Sequence, residues 1–308
     1  MTDPATLPQP HGWLILDKPR GLGSTQAVGA VKRVLRQAGY GKVKVGHGGT
    51  LDPLASGVLP VALGEATKLS GRMLDADKIY DFTIRLGEET DTLDAEGEVV
   101  ATSDNRPSAA EMEEVLPRFT GTIDQVPPAY SALKVGGKRA YDLARSGDEV
   151  QLESRRISVH RLSLRHPGEG GGEEADEVTL TAHVSKGTYI RSLARDIARA
   201  LGSVGHVTML RRTKAGPFTL DQAISLDKLG ELAKARQLEQ ALLPMTAGLD
   251  DIPALSVTPD QARALRQGRR LAGIAAKPGL HLATELSVPV ALVELSEGEL
   301  RVVRGFNF

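Results

Sequence analysis

The sequence predicts an α+β protein, and three observations carry that expectation. Short apolar runs bounded by turn residues read as strands, among them Trp13-Leu14-Ile15-Leu16 before Asp17-Lys18-Pro19, and Val58 to Leu63. Between them lie amphipathic helices, with apolar residues at helical spacing. No internal repeat or heptad organises the 308 residues. At that length one large domain with an appendage, or two unequal domains, is expected. Hydrophobic residues make up 41% and charged residues 25%, which suffices for a sizeable core. No run approaches the roughly 18 to 20 apolar residues needed to span a bilayer. The first residues show no basic segment followed by an apolar one, so a cytoplasmic protein without membrane association is expected.

The elements follow in order. Ser24 is expected to cap a helix whose apolar stripe is Ala27, Val28, Val31, Val34, Leu35 and Ala38, terminated by Gly39 and Gly41. Gly46 to Asp52 is a glycine-rich loop, and Tyr80 to Leu86 alternates as a strand. Ser108-Ala109-Ala110-Glu111 is a capping box opening a helix that ends near Arg118. Gln125 to Glu153 is polar and basic, with Pro127-Pro128 and Gly136-Gly137, and reads as a long mobile excursion. Ile157 to Leu164 and Val178 to Val184 are strands joined by an exposed connector, Pro167 to Gly172. Tyr189 to Leu201 is a helix with an apolar stripe (Ile190, Leu193, Ile197, Leu201) and a basic one (Arg191, Arg195, Arg199). After a strand at Val204 to Leu210 come a helical Leu226 to Leu243 and a linker, Pro244 to Pro253. A second capping box at Thr258 to Gln261, with strands at Val288 to Glu294 and Leu300 to Val303, makes a small terminal module.

Composition removes several chemistries. The chain has no cysteine, which leaves no disulfide, thiolate nucleophile or Cys-ligated metal. Its 7 histidines are scattered, with no H-x-x-x-H or H-E-x-x-H pair, so a metal hydrolase is not expected. Any nucleophile is then a carboxylate, a hydroxyl or a lysine. The net charge of −1 averages unlike segments. Trp13 to Ser56 holds seven Lys and Arg against two acids, and Lys186 to Lys214 seven against one. Met73 to Asp124 holds four against fourteen. Basic residues gathered in particular segments suit a polyanion-binding face, though uneven surface charge would look the same.

The informative stretch is Gly46-His47-Gly48-Gly49-Thr50-Leu51-Asp52-Pro53-Leu54-Ala55-Ser56-Gly57. Alone, Asp52-Pro53 also reads as a helix N-cap followed by proline. The spacings of a P-loop and of a dinucleotide fingerprint are both absent. What stands out is a carboxylate set between Leu51 and Pro53-Leu54, held extended by the proline. Nearby glycines would let a bulky ligand approach the backbone.

These residues, together with Leu14 to Pro19, resemble the two opening motifs of the bacterial tRNA pseudouridine-55 synthases, the TruB family. The resemblance continues in order through Asp77 to Tyr80, Pro128 to Lys134, Ser185 to Arg191 and His206 to Arg212, and spans roughly Gly12 to Leu243. It implies a mixed, largely antiparallel sheet flanked by helices, and a small PUA-like module at the C-terminus. Residues 1–250 would form the catalytic domain, with an RNA-binding insertion at 125–153 that closes over the T loop, and 251–308 the module. It also implies an isomerase that turns uridine-55 of the tRNA T loop into pseudouridine, monomeric, with no cofactor and no protein partner. Asp52 would be the nucleophile, Tyr80 the residue packed on the target base and a candidate for proton transfer, and Arg191 the partner of the carboxylate. His47, Tyr189, Leu210 and Lys18 would surround the nucleotide. One departure is Gly48, where the family pattern leads us to expect threonine.

Physical chemistry makes these roles reasonable. Pseudouridine formation breaks the N1–C1′ bond, turns the base and rejoins it through C5. No electrons or atoms are gained or lost, so neither redox cofactor nor metal is required. A carboxylate can add covalently or assist departure of the base. Desolvation alone would raise its pKa, and an arginine about 4 Å away offers roughly 4 kcal/mol of Coulomb stabilisation at an effective dielectric near 20. The uridine must leave its stack to be reached, and side chains such as Tyr80 would replace the lost stacking. Arg195, Arg199, Lys32, Arg33, Lys134, Lys138, Arg139 and Arg145 are candidates for phosphate contacts, which imply salt-sensitive binding. The competing readings are an RNA-binding or RNA-folding protein without catalysis, and a uridine C5 methyltransferase. The second fits worse, because thiolate attack at C6 is its usual route.

Overall fold

The computed structural model describes residues 7–131, 133–146, 152–165 and 176–308. A ten-stranded sheet organises the chain up to residue 243. Its main path runs Leu242–Leu243, Gly12–Lys18, Ser56–Leu63, Gly205–Ala215, Lys78–Leu86, Glu177–Val184, Arg155–Leu164, Gly121–Gln125. Val45–His47 pairs on Ser56–Leu63, and Phe218–Thr219 on Gly205–Ala215. Among the described residues every strand pairing in this sheet is antiparallel except one, where Arg211 and Arg212 run parallel to Ser56 and Gly57. The expected mixed, largely antiparallel α+β architecture is the one observed.

Sidedness follows from the sequence. Leu14 and Leu16 pack into the large core beneath the helices Ser24–Gln37, Ile190–Ala200 and Leu226–Lys234, while Trp13 and Ile15 pack into a second core on the opposite face. A strand covered on both faces needs an unbroken apolar run, which Trp13 to Leu16 supplies. Farther along the sheet only the helix face is covered. Tyr80, Phe82 and Ile84 point to the helices, with Leu180, Ala182 and Val184 beside them. The intervening residues Asp81, Thr83, Thr181 and His183 are polar, as alternation in a half-covered sheet requires.

Several expectations need correcting. Ser24 is the first helical residue and Gly23 the N-cap; the Ser24 hydroxyl instead accepts from the Leu51 N–H at 2.7 Å and donates to its carbonyl at 2.9 Å. Asp52-Pro53 caps no helix, because the chain passes directly into the Ser56–Leu63 strand. The described part of the excursion holds a hairpin of Lys134–Val135 and Lys138–Arg139 and a helix Ala140–Arg145. The Pro167 to Gly172 connector lies outside the described residues. Leu226 to Leu243 is not one helix, since the α-helix stops at Lys234 and Arg236 adopts a positive φ of 57°. Pro244 to Pro253 does not hang free: the Trp13 indole donates to the Met245 carbonyl at 3.1 Å, and Met245 and Leu249 are buried.

A five-stranded sheet follows, ordered Ala254–Ser256, Gly279–Glu285, Val288–Ser296, Glu299–Gly305, Leu271–Ala272, with the expected capped helix Pro259–Arg266 against it. Leu282, Leu292 and Phe306 reach into the core around Trp13. Lys68 donates to the Gly305 carbonyl at 2.9 Å, and Arg72 pairs with Asp251 at 2.8 Å.

Gly57 marks the point where the parallel contact brings backbones closest. Its φ is +100°, and a Cβ there would lie 2.2 Å from the Arg212 carbonyl oxygen. Gly57→Ala combines left-handed strain with overpacking, so a loss of about 2 kcal/mol or more is expected in urea unfolding; a loss within 0.5 kcal/mol, the span of ordinary surface changes, would show that the contact can relax.

Candidate active site

Asp52 is held from three directions. Ser24 pins Leu51 as described, the Gly21 N–H donates to the Pro53 carbonyl at 2.7 Å, and Arg212 grips the loop from below. The Arg212 guanidinium is fully buried and donates to the carbonyls of Val58 (2.7 Å), Thr50 (3.3 Å) and Gly49 (3.3 Å). A loop fixed in this way presents its carboxylate in one place, which catalysis by positioning demands.

Arg191, in the first turn of the Ile190–Ala200 helix, meets that carboxylate at 2.9 Å. Its side chain is 7% exposed and that of Asp52 38%. The cation is therefore sealed behind, while the carboxylate opens to the cavity in front. Arg191 also lies 3.5 Å from the buried Asp94 and donates to the carbonyls of Thr92 (2.8 Å) and Tyr130 (3.0 Å). Asp94 in turn accepts from the Thr92 hydroxyl at 2.6 Å and the Glu96 N–H at 3.0 Å. A buried guanidinium with two carboxylates and two carbonyls around it is oriented as well as neutralised.

The cavity in front of Asp52 is about 270 Å³, at the small end of the range for ligand sites. It suits a single nucleotide better than a dinucleotide cofactor. Tyr80, Tyr189, Leu210, Val184 and Ile190 supply flat and apolar walls, with Asp52, Lys78, Arg191 and Arg212 as the charged lining. The Tyr189 backbone is fixed by Gln125, which accepts from its N–H at 2.8 Å and donates to its carbonyl at 3.1 Å. Burial raises the pKa of the Tyr189 hydroxyl, which keeps it neutral.

Five of the sequence-named residues (Asp52, Tyr80, Arg191, Tyr189 and Leu210) thus share one cavity. Lys18 and His47 are not on its wall. Lys18 is fully buried and donates to the carbonyls of Pro19 (2.9 Å) and Leu22. Burial pushes its ammonium down to about 8, against the opposing pull of the Asp52 charge. His47 is drawn below its ordinary value by burial and by the Arg212 charge, so its imidazole is neutral at neutral pH. Arg195 and Arg199 have protein partners: Arg195 pairs with Asp196 at 2.8 Å and donates to the Val126 carbonyl, and Arg199 makes a two-pronged pair with the buried Glu89. Lys134, Lys138, Lys32, Arg33 and Arg145 are exposed; the Arg139 side chain lies outside the described residues.

Sequence reasoning passed over Arg212, Lys78 and Asp94. Lys78 lines the cavity, and its ammonium donates to the Met73 carbonyl at 2.9 Å, the Leu74 carbonyl at 2.8 Å and the Ala76 carbonyl, closing the end of the Ser70–Asp75 helix. Arg212 and Lys78 stand inside motifs already singled out, whereas nothing in the acidic run marks Asp94 as buried. Gly48 also finds its reason, because a Cβ there would lie 2.5 Å from Met73 Cβ. The buried Met73 occupies the space a threonine would need.

This fold is that of the pseudouridine synthases, and it sets a carboxylate backed by a sealed arginine at a small cavity. The chain belongs to the TruB family. The model for the TruB family pseudouridylate synthase N-terminal domain matches residues 32–190, and that for the tRNA pseudouridylate synthase B C-terminal domain matches 191–250. The tRNA pseudouridine synthase B of Novosphingobium aromaticivorans is 66% identical over 96% of this chain and 97% of its own length. That of Zymomonas mobilis is 62% identical over 97% and 96%, and that of Caulobacter vibrioides 47% over 96% of both. Among solved structures, a chain of the H/ACA RNP bound to a substrate RNA containing 2′-deoxyuridine superposes with a TM-score of 0.71 at 27% identity, covering 97% of this chain and 86% of that one. A chain of a Cbf5–Nop10–Gar1 complex gives the same TM-score and identity over 100% and 90%.

Two outcomes are expected from this geometry. Arg191→Ala should cost far more turnover than Arg199→Ala, because only Arg191 touches Asp52; equal losses in single-turnover assays would count against the pairing. Lys18 supplies a pH signature. Its folded pKa, about 8, lies below the ordinary 10.5, so the unfolded chain binds this proton more tightly. Burying the charged ammonium costs stability in full below pH 8, and the cost fades as pH rises toward 10.5. Urea unfolding should show wild type gaining stability on Lys18→Met across that window, and a constant difference would reject the depressed value.

Proposed function

We propose that this chain isomerises uridine-55 in the T loop of tRNA to pseudouridine, with Asp52 as the nucleophile. One observation carries the reading: the 2.9 Å Asp52–Arg191 pair, in which the carboxylate is the far more open partner on the cavity wall. The arginine favours the ionised form that either covalent addition or assisted base departure needs. Tyr80 projects from the Lys78–Leu86 strand onto the same cavity. We assign it the flipped base, against which its ring stacks, and a proton transfer through its hydroxyl. Tyr189 and Leu210 complete the base-binding walls, while Lys18 and His47 act from behind by shaping the loop.

For the RNA backbone, the exposed Lys134 and Lys138 on the hairpin of the excursion are the leading phosphate contacts, with Lys32 and Arg33 next. Arg195 and Arg199 serve better as braces, given their carboxylate partners. Residues 1–250 would act as the catalytic unit and 251–308 as a PUA-like accessory that extends the RNA-facing surface. The structural relatives include protein complexes; this chain is proposed to act as a monomer in the cytoplasm, without a protein partner. No helix among the described residues is long and apolar enough to cross a membrane.

The test follows tritium release from C5 of uridine in a T-arm hairpin, with EDTA and no added cofactor. Wild type should release label; Asp52→Asn should bind the hairpin and release none. Tyr80→Phe should retain binding and lose turnover. Tight binding without release by wild type would favour the RNA-binding reading, and a fully active Tyr80→Phe would remove the hydroxyl from the chemistry.

A further inference from the structure

The face of the sheet turned away from the helices carries a cluster that the isomerase chemistry does not use. Asp77 stands immediately before the Lys78–Leu86 strand, and His183 pairs in register with Ile79 of that strand. His160 comes from the next strand over, at a bulge. Val159 faces Val184 and Arg161 faces His183, with His160 between them. The bulge also reverses the alternation: Ile157 and Val159 point into the core before it, Leu162 after it. Residues 160 and 161 thus both stand opposite His183, and the two imidazole rings lie 4.8 Å apart, centroid to centroid.

Both rings direct Nε2 at one oxygen, Asp77 Oδ2, His160 at 3.2 Å and His183 at 3.7 Å. All three donor atoms lie within 4.8 Å of one another. We propose that Asp77, His160 and His183 form a binding site for one divalent transition-metal ion of the zinc type, separate from the isomerase cavity. Zinc holds imidazole nitrogen at about 2.0–2.1 Å and carboxylate oxygen at about 2.0–2.2 Å, so tetrahedral ligands stand roughly 3.3–3.5 Å apart. The two distances to Asp77 bracket that spacing within a few tenths of an ångström. Two imidazoles and a carboxylate suit zinc, copper or nickel rather than magnesium or calcium. The half-exposed positions leave room for water as the remaining ligand.

His183 is drawn below its ordinary value by burial and by its neighbour His160, with Lys214 acting in the same sense and Asp77 opposing. A neutral imidazole has the lone pair a metal needs. Lys214 is the nearby charge that works against a cation. Asp75 and Asp251, which line the adjoining cavity, are engaged by Lys186 and Arg72.

An ion held here would join three chain segments at the root of the strand that carries Tyr80. It would take no part in the reaction, since Tyr80 and its cross-strand neighbour Ala182 lie on the other face. Its effect is to clamp the sheet, and binding free energy adds to the stability of the state that binds.

Untagged full-length chain, freed of metal with EDTA and then of EDTA, is titrated with zinc chloride by calorimetry at about pH 7.5. One equivalent should bind, and zinc should raise the melting temperature of wild type. His160→Ala and His183→Ala should each weaken binding at least 10-fold, because losing an outer-shell partner alone costs about 10- to 100-fold. Asp77→Asn should follow them, and magnesium should not compete. Circular dichroism checks that each variant folds, and His160→Gln at the exposed bulge stands in should an alanine variant fail. No saturable binding, or the same affinity in wild type and the histidine variants, would overturn the proposal.

Discussion

The buried guanidinium of Arg191 is the interaction on which the site depends. A cation with 7% of its side chain exposed must be compensated, and Asp52, Asp94 and the carbonyls of Thr92 and Tyr130 share that task. These groups come from four separate parts of the chain: the glycine-rich loop, the acidic segment after residue 88, the start of the excursion, and the Ile190–Ala200 helix. Any shift among them would leave a charge stranded out of water. One geometry is thereby selected, and its free end, the Asp52 carboxylate, is left facing the cavity.

Around that centre the protein places further buried cations whose partners are carbonyls. Arg212 binds the carbonyls of Gly49, Thr50 and Val58, Lys18 those of Pro19 and Leu22, and Lys78 the last turn of a short helix. Each brings positive charge near the cavity while fixing a loop or helix end. The same residues therefore shape the backbone and bias the site toward an anion. That bias fits a ribonucleotide with its phosphate, and it explains why the most basic segments of the sequence are only partly surface. Of the basic stripe at Arg191, Arg195 and Arg199, the first is sealed against Asp52 and the other two hold Asp196 and Glu89. Counting charges along the chain located the basic segments correctly, but could not separate the cations that brace the fold from those left to meet RNA.

What was legible in the sequence shares a physical cause. Trp13 to Leu16 reads as a strand because both faces are buried, and the Ile190–Ala200 helix because one stripe is apolar. The two capping boxes read correctly because Ser108 and Thr258 bond within three residues of themselves. Failures occurred where a partner distant in sequence decides. Ser24 has the chemistry of an N-cap, yet its hydroxyl serves Leu51, 27 residues away. Asp52-Pro53 has the form of a helix start, but the parallel contact of Gly57 with Arg212 draws the chain into a strand instead. The resemblance of ordered motifs named Asp52, Tyr80 and Arg191, which no local pattern could have brought into one cavity. Asp94 escaped because its burial depends on the same distant arginine.

Spacing rules for metal ligands fail in the same way. They look for two histidines a helical turn apart, and the chain has none. Strand pairing offers another route to convergence, since residues far apart in sequence become neighbours once register is set. His160 and His183 are 23 positions apart by number, yet the register set by Val159 and Val184 brings them opposite one another. The bulge adds Arg161 opposite the same His183 without taking His160 off that face, and both imidazoles reach Asp77. Register and bulge position are tertiary properties, set by which residues the helices cover. A cluster of this kind is therefore visible only once the sheet is drawn, and histidine scatter in a β-rich sequence says little about where the imidazoles end up.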